Sequence, residues 1–422
     1  MKLRKIALLI VVTLCALLLA GCQSGEPKND PAPTDAPLVE AITPEAQPEA
    51  TSVPVQSGKG VNVYNWEDYI DPAVITMFEQ EYGIKVNYMC FTTVEDMIVQ
   101  VEANPGAFDV CFPSDYIIER MINGNMLREI NFANIPNASY TIPYLQNPAY
   151  DPENKFSVPY MWGTVGILYN KTLFEEKGWE VPQTWDDIIA MSSVLAVNNM
   201  SFGLPASSEI YLMMVKQKGL DVYRQNGAVC ALDDPAAIEL FQYYTNFYNN
   251  YGFPLSYSLV NRFRTGEIPI AIDNISLYNS LEISAPEIKG LWKFSMVPGF
   301  KDGDGNIRRD SLTSGAATMM LESTKHPDES WEFMKWWTSA AIQSKYGREI
   351  ESVLGASARY SSANIDAFEQ SLWSKAERSV LMDQMQYLND VEVVPGSYYL
   401  GRNLNNAFRN VVYYDKKTID VM

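Results

Sequence analysis

The chain has 422 residues, of which 32 are basic and 51 acidic, so its formal net charge is −19. A chain this acidic is a poor partner for nucleic acid or for an anionic lipid surface, because like charges repel. It contains a single histidine, His326, and its five cysteines lack metal-like spacing. We therefore expect no catalytic residue, no metal site and no cofactor, and we interpret His326 as a surface loop residue.

Residues 1–21 predict a lipoprotein signal peptide. Basic residues precede an unbroken apolar run from Ile6 to Ala20, which is shorter than the roughly 20 residues of a membrane span. The run ends in a Leu-Ala-Gly-Cys sequence that resembles the lipobox of bacterial lipoproteins, and Cys22 can take a diacylglyceryl group. An uncleaved N-terminal anchor is the alternative. In both cases we expect the chain to be held at the extracytoplasmic face of a bacterial cell membrane.

Residues 22–60 predict a disordered linker. From Gln23 to Gly60 there are seven prolines and no aromatic residue. Such a segment cannot bury enough apolar surface to offset its chain entropy. The folded part therefore starts near Val61. Its length of about 360 residues exceeds one ordinary hydrophobic core, so two lobes are expected.

Strands and helices alternate at the start of the folded part. Strands are predicted at 61–64, 84–91 and 108–112. The helices between them begin at Asp71-Pro72 and at Thr93, and a third helix begins at Ser114 or Asp115. This alternation favours a parallel sheet with helices on both faces, in which ligands bind at the carboxyl ends of the strands.

The middle of the chain predicts a mostly helical second lobe. Helices begin at Thr184 and at Asp233-Asp234-Pro235, and Phe241, Tyr244 and Tyr248 have the spacing of a buried stripe. Strands return at 268–272 and 316–321, and Asp328 is predicted to cap a later helix. Cys90, Cys111 and Cys230 are interpreted as buried thiols, with one disulfide left open.

Three stretches resemble the solute-binding proteins of ABC importers, and the spermidine/putrescine-binding branch most of all. They are Tyr64 to Ile70 (YNWEDYI), Phe108 to Tyr116 (FDVCFPSDY) and Ser157 to Gly163 (SVPYMWG). The resemblance implies an α/β fold of two lobes, type II of the periplasmic-binding-protein-like folds, in which each lobe is a mostly parallel sheet flanked by helices. Hinge strands would join the lobes near Gly163, Asp273 and Ser314.

The resemblance also implies the lobe boundaries. Lobe 1 is expected to comprise 61–163 and 274–315, and lobe 2 to comprise 164–273 and 316–422. The expected partners are a small solute, membrane permease subunits and, through Cys22, the membrane itself. The receptor is expected to be a monomer.

The implied ligand site combines aromatic walls with carboxylates. Trp66 and Tyr69 would be walls, Asp68 a polar partner of the ligand, and Ser114 and Tyr116 the opposite edge. The remaining implied ligand residues are Glu209, Asp273, Asn274 and Asp310. Ammonium groups need acceptors and counter-charges, and methylene chains need apolar walls, so this set suits a polyamine. A buried aromatic or a helix cap is the structural alternative for each residue.

The C-terminal half departs from the polyamine pattern. Ala206 replaces an acidic residue, and Asp273-Asn274 stand where that branch has a tryptophan. The stretches 330–338, 347–351 and 403–409 are more similar to carbohydrate-binding relatives, so a sugar receptor is the alternative. A secreted glycosidase using paired carboxylates is a remote alternative, although no such pair is evident. A purely structural lipoprotein would leave the aromatic and acidic strand end unexplained.

Overall fold

The computed structural model describes residues 59–67, 70, 72–225, 227–392, 394 and 397–422. The predicted signal peptide, Cys22 and most of the predicted linker lie outside the described residues, as do Asp68, Tyr69 and Asp71.

The described strands and helices follow one another along the whole folded part. The strands are β1 (Gly60–Trp66), β2 (Lys85–Phe91), β3 (Val110–Cys111), β4 (Ser157–Asn170), β5 (Phe202–Gly203), β6 (Tyr223–Arg224), β7 (Val229–Cys230), β8 (Ile270–Asn274), β9 (Trp292–Ser295), β10 (Phe300–Lys301), β11 (Ile307–Arg308), β12 (Thr313–Met320) and β13 (Ser361–Ser362). The helices are α1 (Pro72–Tyr82), α2 (Val94–Ala103), α3 (Asp115–Asn123), α4 (Lys171–Lys177), α5 (Trp185–Val197), α6 (Ser208–Gln217), α7 (Pro235–Asn249), α8 (Leu259–Thr265), α9 (Ser276–Ser284), α10 (Pro327–Trp337), α11 (Ala340–Leu354), α12 (Ile365–Glu369), α13 (Lys375–Met385) and α14 (Ser397–Tyr414).

Local capping chemistry sets several helix starts as the sequence predicts. The Thr93 hydroxyl accepts a hydrogen bond from the Asp96 N–H at the start of α2. Thr184 and Asp187 form a reciprocal capping box at the start of α5. Asp234 caps α7, whose first residue is proline. These side chains satisfy amide groups that have no partner inside the helix, so the helices begin there.

The start of α10 differs from the prediction. The helix begins at Pro327, one residue before the predicted cap Asp328. His326 occupies the N-cap position, and the interpretation of its side chain as a surface group is wrong. Its side chain is only 17% exposed, and its Nδ1 lies 3.1 Å from Oδ2 of the fully buried Asp109. The contact with the buried Asp109 draws the histidine side chain inward. Because Asp109 lies just before β3, in a distant part of the chain, the local sequence does not show this contact.

One mixed sheet forms the centre of the fold. Its strand order is β2-β1-β3-β12-β4-β8-β5, and β9 and β13 also pair with β4. Strands β1, β2 and β3 are parallel, as the alternation of strands and helices predicts. Strand β12 is antiparallel to both β3 and β4, and β8 is antiparallel to β4 but parallel to β5.

The 14-residue strand β4 passes through two halves of this sheet. Residues 157–164 pair with β12, which adjoins β3 and β1, and we call this part the first half. Residues 165–170 pair with β8 and β9, and this part, with β5, is the second half. Adjacent residues of one strand therefore belong to opposite halves.

Each half has its own buried core. In the first half, α1 and α10 pack on the sheet through Phe78, Phe333 and Trp337. In the second half, Trp185 and Phe408 pack α5 and α14 together with α7, whose predicted buried stripe is confirmed. Burial of such large side chains is the main source of stability for a fold of this kind.

Two segments pack in a different half of the fold from the lobe in which they are expected. The stretch 274–300 packs in the second half, where α9 and β9 join Leu168 and where Val297 and Phe300 join the core around Trp185. The stretch 316–346 packs in the first half, through β12, α10 and α11. Amphipathic patterns identify elements but not the half that each one joins. The lobe boundaries stay a prediction. We propose one change to it: 274–300 belongs to the lobe of the second half, and 316–346 to the lobe of the first half.

The cysteines differ in exposure. Cys111 is buried, whereas Cys90 and Cys230 are exposed, contrary to the expectation that all three are buried. No disulfide joins these three described residues. Within the described part of the chain, no helix has the length and apolar character that crossing a membrane requires.

Candidate functional site

The carboxyl ends of the parallel strands in both halves point toward the middle of β4. Strand β3 is antiparallel to β12, which is antiparallel to β4, so β1 and β3 run in the direction of β4. Strands β8 and β5 run in the opposite direction. Ligands of such sheets bind beyond the carboxyl ends of the strands. Here both sets of ends therefore converge on one region.

Strand register shows how close the two edges are. Ser114, just after β3, forms a bridge with Ala316, which pairs with Met161 of β4. On the other side, Asn274 at the end of β8 pairs with Val165 of β4. The two levels are thus four residues apart on β4, about 13 Å at the usual rise of a strand.

The predicted hinge positions lie together in this interval. Gly163 pairs with Ser314, and Gly166 pairs with Asp273. The Thr164 and Ser311 hydroxyl oxygens are 3.3 Å apart beside them. Gly166 has a steric reason to be glycine, because a Cβ there would lie 2.0 Å from the Phe294 ring. Bending about these strands stays a prediction.

The first edge presents Trp66 and Ser114. Trp66 is the last residue of β1, it is half-buried, and its ring lies 4.8 Å from that of Phe91. Its backbone N–H donates to Asn65 Oδ1. Ser114 is the N-cap residue of α3 and its side chain makes no capping hydrogen bond. Tyr116 lies in the first turn of α3, but its side chain, like Asp68 and Tyr69, is outside what the structure describes.

The second edge presents Asp273 and Asn274. Burial raises the pKa of the Asp273 carboxyl, and a hydrogen bond from the Asn274 N–H at 2.6 Å partly opposes this. The pKa of Tyr257 is also raised, first by burial and then by the charge of Asp273, so the tyrosine lies near this carboxylate. Asn274 Oδ1 accepts from the Ser276 N–H. A carboxylate that is costly to desolvate is suited to a cationic ligand.

Glu209 is exposed in the first turn of α6, directly beyond the carboxyl end of β5. Two buried tyrosines hold the connection between β5 and α6, since Tyr248 donates to the Leu204 carbonyl and Tyr244 to the Ser207 carbonyl. Helix α14 packs against the same end of α6, where Asn405 Oδ1 accepts from the Ser208 N–H. The structure therefore places Glu209 at the same carboxyl edge as Asp273.

Asp310 is engaged by neighbouring side chains. Both of its carboxylate oxygens accept from Arg308, at 3.2 and 3.3 Å, and Oδ1 also accepts from Asn389 Nδ2 at 2.7 Å. These contacts satisfy the carboxylate within the protein. Through the last of these hydrogen bonds, Asp310 positions the Asn389 side chain.

A cavity of about 220 Å³ lies against the region where the edges converge, and we call it the hinge cavity. Its walls include Met161 and Trp162 of β4, Ala316 of β12, and the segments 144–150 and 388–390. The polar and aromatic residues in these walls are Tyr144, Gln146, Asn147, Tyr150, Trp162, Thr313, Asn389 and Asp390. The cavity thus combines rings with a carboxylate, the chemistry that the sequence predicts for the site.

None of the predicted site residues with a described side chain lines the hinge cavity directly. Two are one contact away, since Ser114 bridges to Ala316 and Asp310 binds Asn389. Trp66 packs against the same hydrophobic cluster as Tyr150. Glu209, Asp273 and Asn274 lie on the opposing edge. Among the described residues, no hydrogen bond joins them to the cavity walls.

Sequence reasoning missed Tyr150, Tyr257, Asn389 and Asp390. All four lie in loops and not at the strand ends that the sequence predicts for the site. Asp390 carries a structural clue, because its Oδ1 accepts from the Thr313 N–H at 2.7 Å and so joins the C-terminal segment to β12. The only sequence signal was the aromatic and polar composition of these loops.

The profile of the family described as bacterial extracellular solute-binding protein matches residues 57–344, more than half of the chain. The chain belongs to this family. Among curated relatives, the putrescine-binding periplasmic protein PotF of Escherichia coli is 32% identical over 169 residues, which cover 39% of this chain and 45% of PotF. The match thus spans less than half the length of that relative.

Two solved structures are similar in fold. The spermidine/putrescine ABC transporter substrate-binding protein PotD of Streptococcus pneumoniae has a TM-score of 0.62 and 22% identity, covering 85% of this chain and 100% of that one. The sugar-binding protein MalE of Xanthomonas citri has a TM-score of 0.72 and 16% identity, covering 86% and 94%. These likenesses establish the expected two-lobe α/β fold. Family membership makes the protein a binding protein and not an enzyme.

Proposed function

We propose that the protein is the solute receptor of an ABC importer, that it binds a polyamine between its two halves, and that it delivers this solute to membrane permeases. The observation that carries the proposal is the convergence of both carboxyl strand edges on the middle of β4, where Trp66, Asp273 and the hinge cavity with Asp390 lie. Carboxylates on both sides supply counter-charges for ammonium groups, and the rings supply walls for methylene chains.

The proposed action is closure of the two halves on the solute. Ligand contacts from both edges favour the closed arrangement, because an open receptor can contact the solute with one edge only. A ligand shifts such an equilibrium only by its differential affinity for the two states. Asp273 and Asp390 belong to opposing sides, so one polyamine bridging them favours closure.

The proposed location is the extracytoplasmic face of a bacterial cell membrane, with the lipid carried by Cys22. The support is the signal-like N-terminus and the extracellular family to which the chain belongs. Metabolic labelling with a radioactive fatty acid tests this proposal. Loss of label in a Cys22→Ser variant is expected, and equal labelling of both proteins would reject the anchor.

A sugar receptor is the second candidate, and α14 favours it. Tyr399 and Arg402 are exposed on this helix, and the guanidinium lies 5.1 Å from the tyrosine ring centre. Asn405 of the same helix contacts α6 beside Glu209. An aromatic face with mixed donors and acceptors at this edge suits the hydroxyl groups and the apolar face of a sugar ring.

Isothermal titration calorimetry with spermidine, putrescine and a panel of oligosaccharides distinguishes the candidates. We expect saturable heat with a polyamine and none with the sugars. Heat with a sugar alone would replace the polyamine proposal by the second candidate. A Trp66→Ala variant is expected to weaken whichever ligand binds. Tyr251→Ala, which removes an exposed ring just after α7 and away from the hinge cavity walls, is its control.

A further inference from the structure

A second cavity, of about 590 Å³, adjoins the hinge cavity along β4, and we call it the outer cavity. Its walls include Ser157, Val158 and Pro159 of β4, whereas the hinge cavity continues along the same strand with Pro159, Met161 and Trp162. Two residues, Gln146 and Pro159, line both cavities. The walls of the two cavities together follow β4 from Ser157 to Trp162, about 16 Å at the usual rise of a strand.

Each of the two cavities has one carboxylate among its lining residues. Asp390 lines the hinge cavity, and Glu153 lines the outer cavity. Glu153 has a left-handed backbone with φ of 65°, and its N–H donates to Asn147 Oδ1 at 2.8 Å. Asn147 is in turn held by Asn154, whose Oδ1 accepts from the Asn147 N–H at 2.7 Å. These bonds fix the turn that carries Glu153, although a left-handed backbone is unfavourable for a residue with a Cβ.

Part of the wall of the outer cavity is apolar. Val158 and Pro159 of β4 are buried there, and Ile135, Pro136 and Ala138 line the same cavity. The side chain of Gln146, which lines both cavities, is held by a hydrogen bond from its Nε2 to the Thr141 carbonyl at 2.7 Å. A groove with an apolar middle and an anionic group at each end is complementary to a chain of methylene groups with cationic ends.

We infer that the two cavities form one groove, which selects long polyamines over short diamines, with Glu153 binding the distal ammonium group while the proximal end occupies the hinge cavity. This inference rests on the proposed function and names the solute class within it. A short diamine in the hinge cavity reaches Asp390 but not Glu153. A tetraamine such as spermine spans the groove and contacts both, so its additional affinity depends on Glu153.

Calorimetric titration of the full chain with putrescine and spermine tests the inference. Glu153→Gln is expected to weaken spermine binding about threefold to fivefold, the size of an ion pair that remains partly solvated, and to leave putrescine binding unchanged. The matched control is Glu239→Gln, which removes the same charge from an exposed position on α7. Gln146→Trp, which fills the junction of the two cavities, is expected to bring spermine affinity down to that of putrescine.

The outcomes separate this inference from the proposed function. If spermine affinity is the same in Glu153→Gln and Glu239→Gln while both amines bind, the extended groove is wrong and the polyamine receptor stands. If the unaltered protein binds neither amine, the proposed function and the inference both fail. Circular dichroism of each variant confirms folding before titration. If Gln146→Trp misfolds, the comparison of Glu153→Gln with Glu239→Gln decides the inference.

Discussion

The imidazole Nδ1 of His326 lies 3.1 Å from the Asp109 Oδ2, and this contact joins the start of α10 to the entrance of β3 across 217 positions of sequence. The carboxylate also accepts from the Asn62 backbone N–H, the Asn62 side-chain amide and the Thr324 hydroxyl. One fully buried acid thus connects β1, β3 and the connection that leads into α10.

Replacing this acid is expected to destabilise the first half strongly. Asp109→Ala leaves several buried donors without an acceptor, so the free energy of unfolding should fall by about 2–4 kcal/mol. Urea denaturation followed by tryptophan fluorescence measures it. Asp304→Ala removes an exposed acid and is the control. Equal midpoints for the two variants would contradict the role of Asp109.

Gly166 is expected to tolerate no side chain. A Cβ at this position would meet the Phe294 ring at 2.0 Å, so Gly166→Ala must displace the ring and should lower the free energy of unfolding by about 1–3 kcal/mol. Gly303→Ala is the matched control, because nothing lies within 4 Å of a Cβ there. If both variants unfold at the same temperature, the close approach of Phe294 is not rigid.

Amine binding is expected to weaken in acid because of Asp273. Burial raises the pKa of this carboxyl, so it loses its charge at a higher pH than an exposed aspartate. Polyamine affinity should therefore fall between about pH 7 and about pH 4, and Asp273→Asn should bind about tenfold more weakly at about pH 7 with a flatter pH profile. The exposed Asp221→Asn is the control.

The same carboxyl affects stability with the opposite sign. Its folded-state pKa is above its unfolded value, so the folded protein binds this proton more tightly. The resulting stabilisation is present at low pH and is lost as the pH rises through the folded pKa. Asp273→Asn should consequently raise the midpoint of thermal unfolding at about pH 7 even though it weakens amine binding. A lowered midpoint would show that the buried charge is compensated.

The Arg308–Asp310 pair is expected to have a structural role. In a double-mutant cycle with Arg308→Gln and Asp310→Asn, the coupling energy should be about 0.5–1 kcal/mol, because the carboxylate is only 14% exposed and accepts two hydrogen bonds from one guanidinium. The pair Arg264–Glu287, whose side chains are about half exposed, should show a smaller coupling. A calorimetric loss of ligand binding in Asp310→Asn without any change in stability would restore the predicted ligand role.

Local chemistry was readable from the sequence wherever it acts over a few residues. Caps at Thr93, Thr184 and Asp234 set helix starts, and strand ends at Trp66 and Ser114 fall at a carboxyl edge that faces the middle of β4. These features depend on neighbours along the chain, which a single sequence displays.

Features that depend on distant contacts were not readable in the same way. Asp390 joins the hinge cavity through a hydrogen bond to Thr313, 77 positions away, and His326 is buried by a contact with a distant acid. The engagement of Asp310 by Arg308 was easier to foresee, and the ligand role of Asp310 stays a prediction. Arg308 lies two positions before it, and side chains at that spacing share one face of an extended chain, so an ion pair was foreseeable.

The uninterrupted course of β4 also limits how the gene can be divided. A cut between Gly163 and Thr164 would leave residues 157–163 of β4 in the N-terminal fragment and their partner β12 in the C-terminal fragment, so neither fragment could complete the first half. Fragments made at that point should remain insoluble when expressed singly and should recover a folded protein only when they are expressed together.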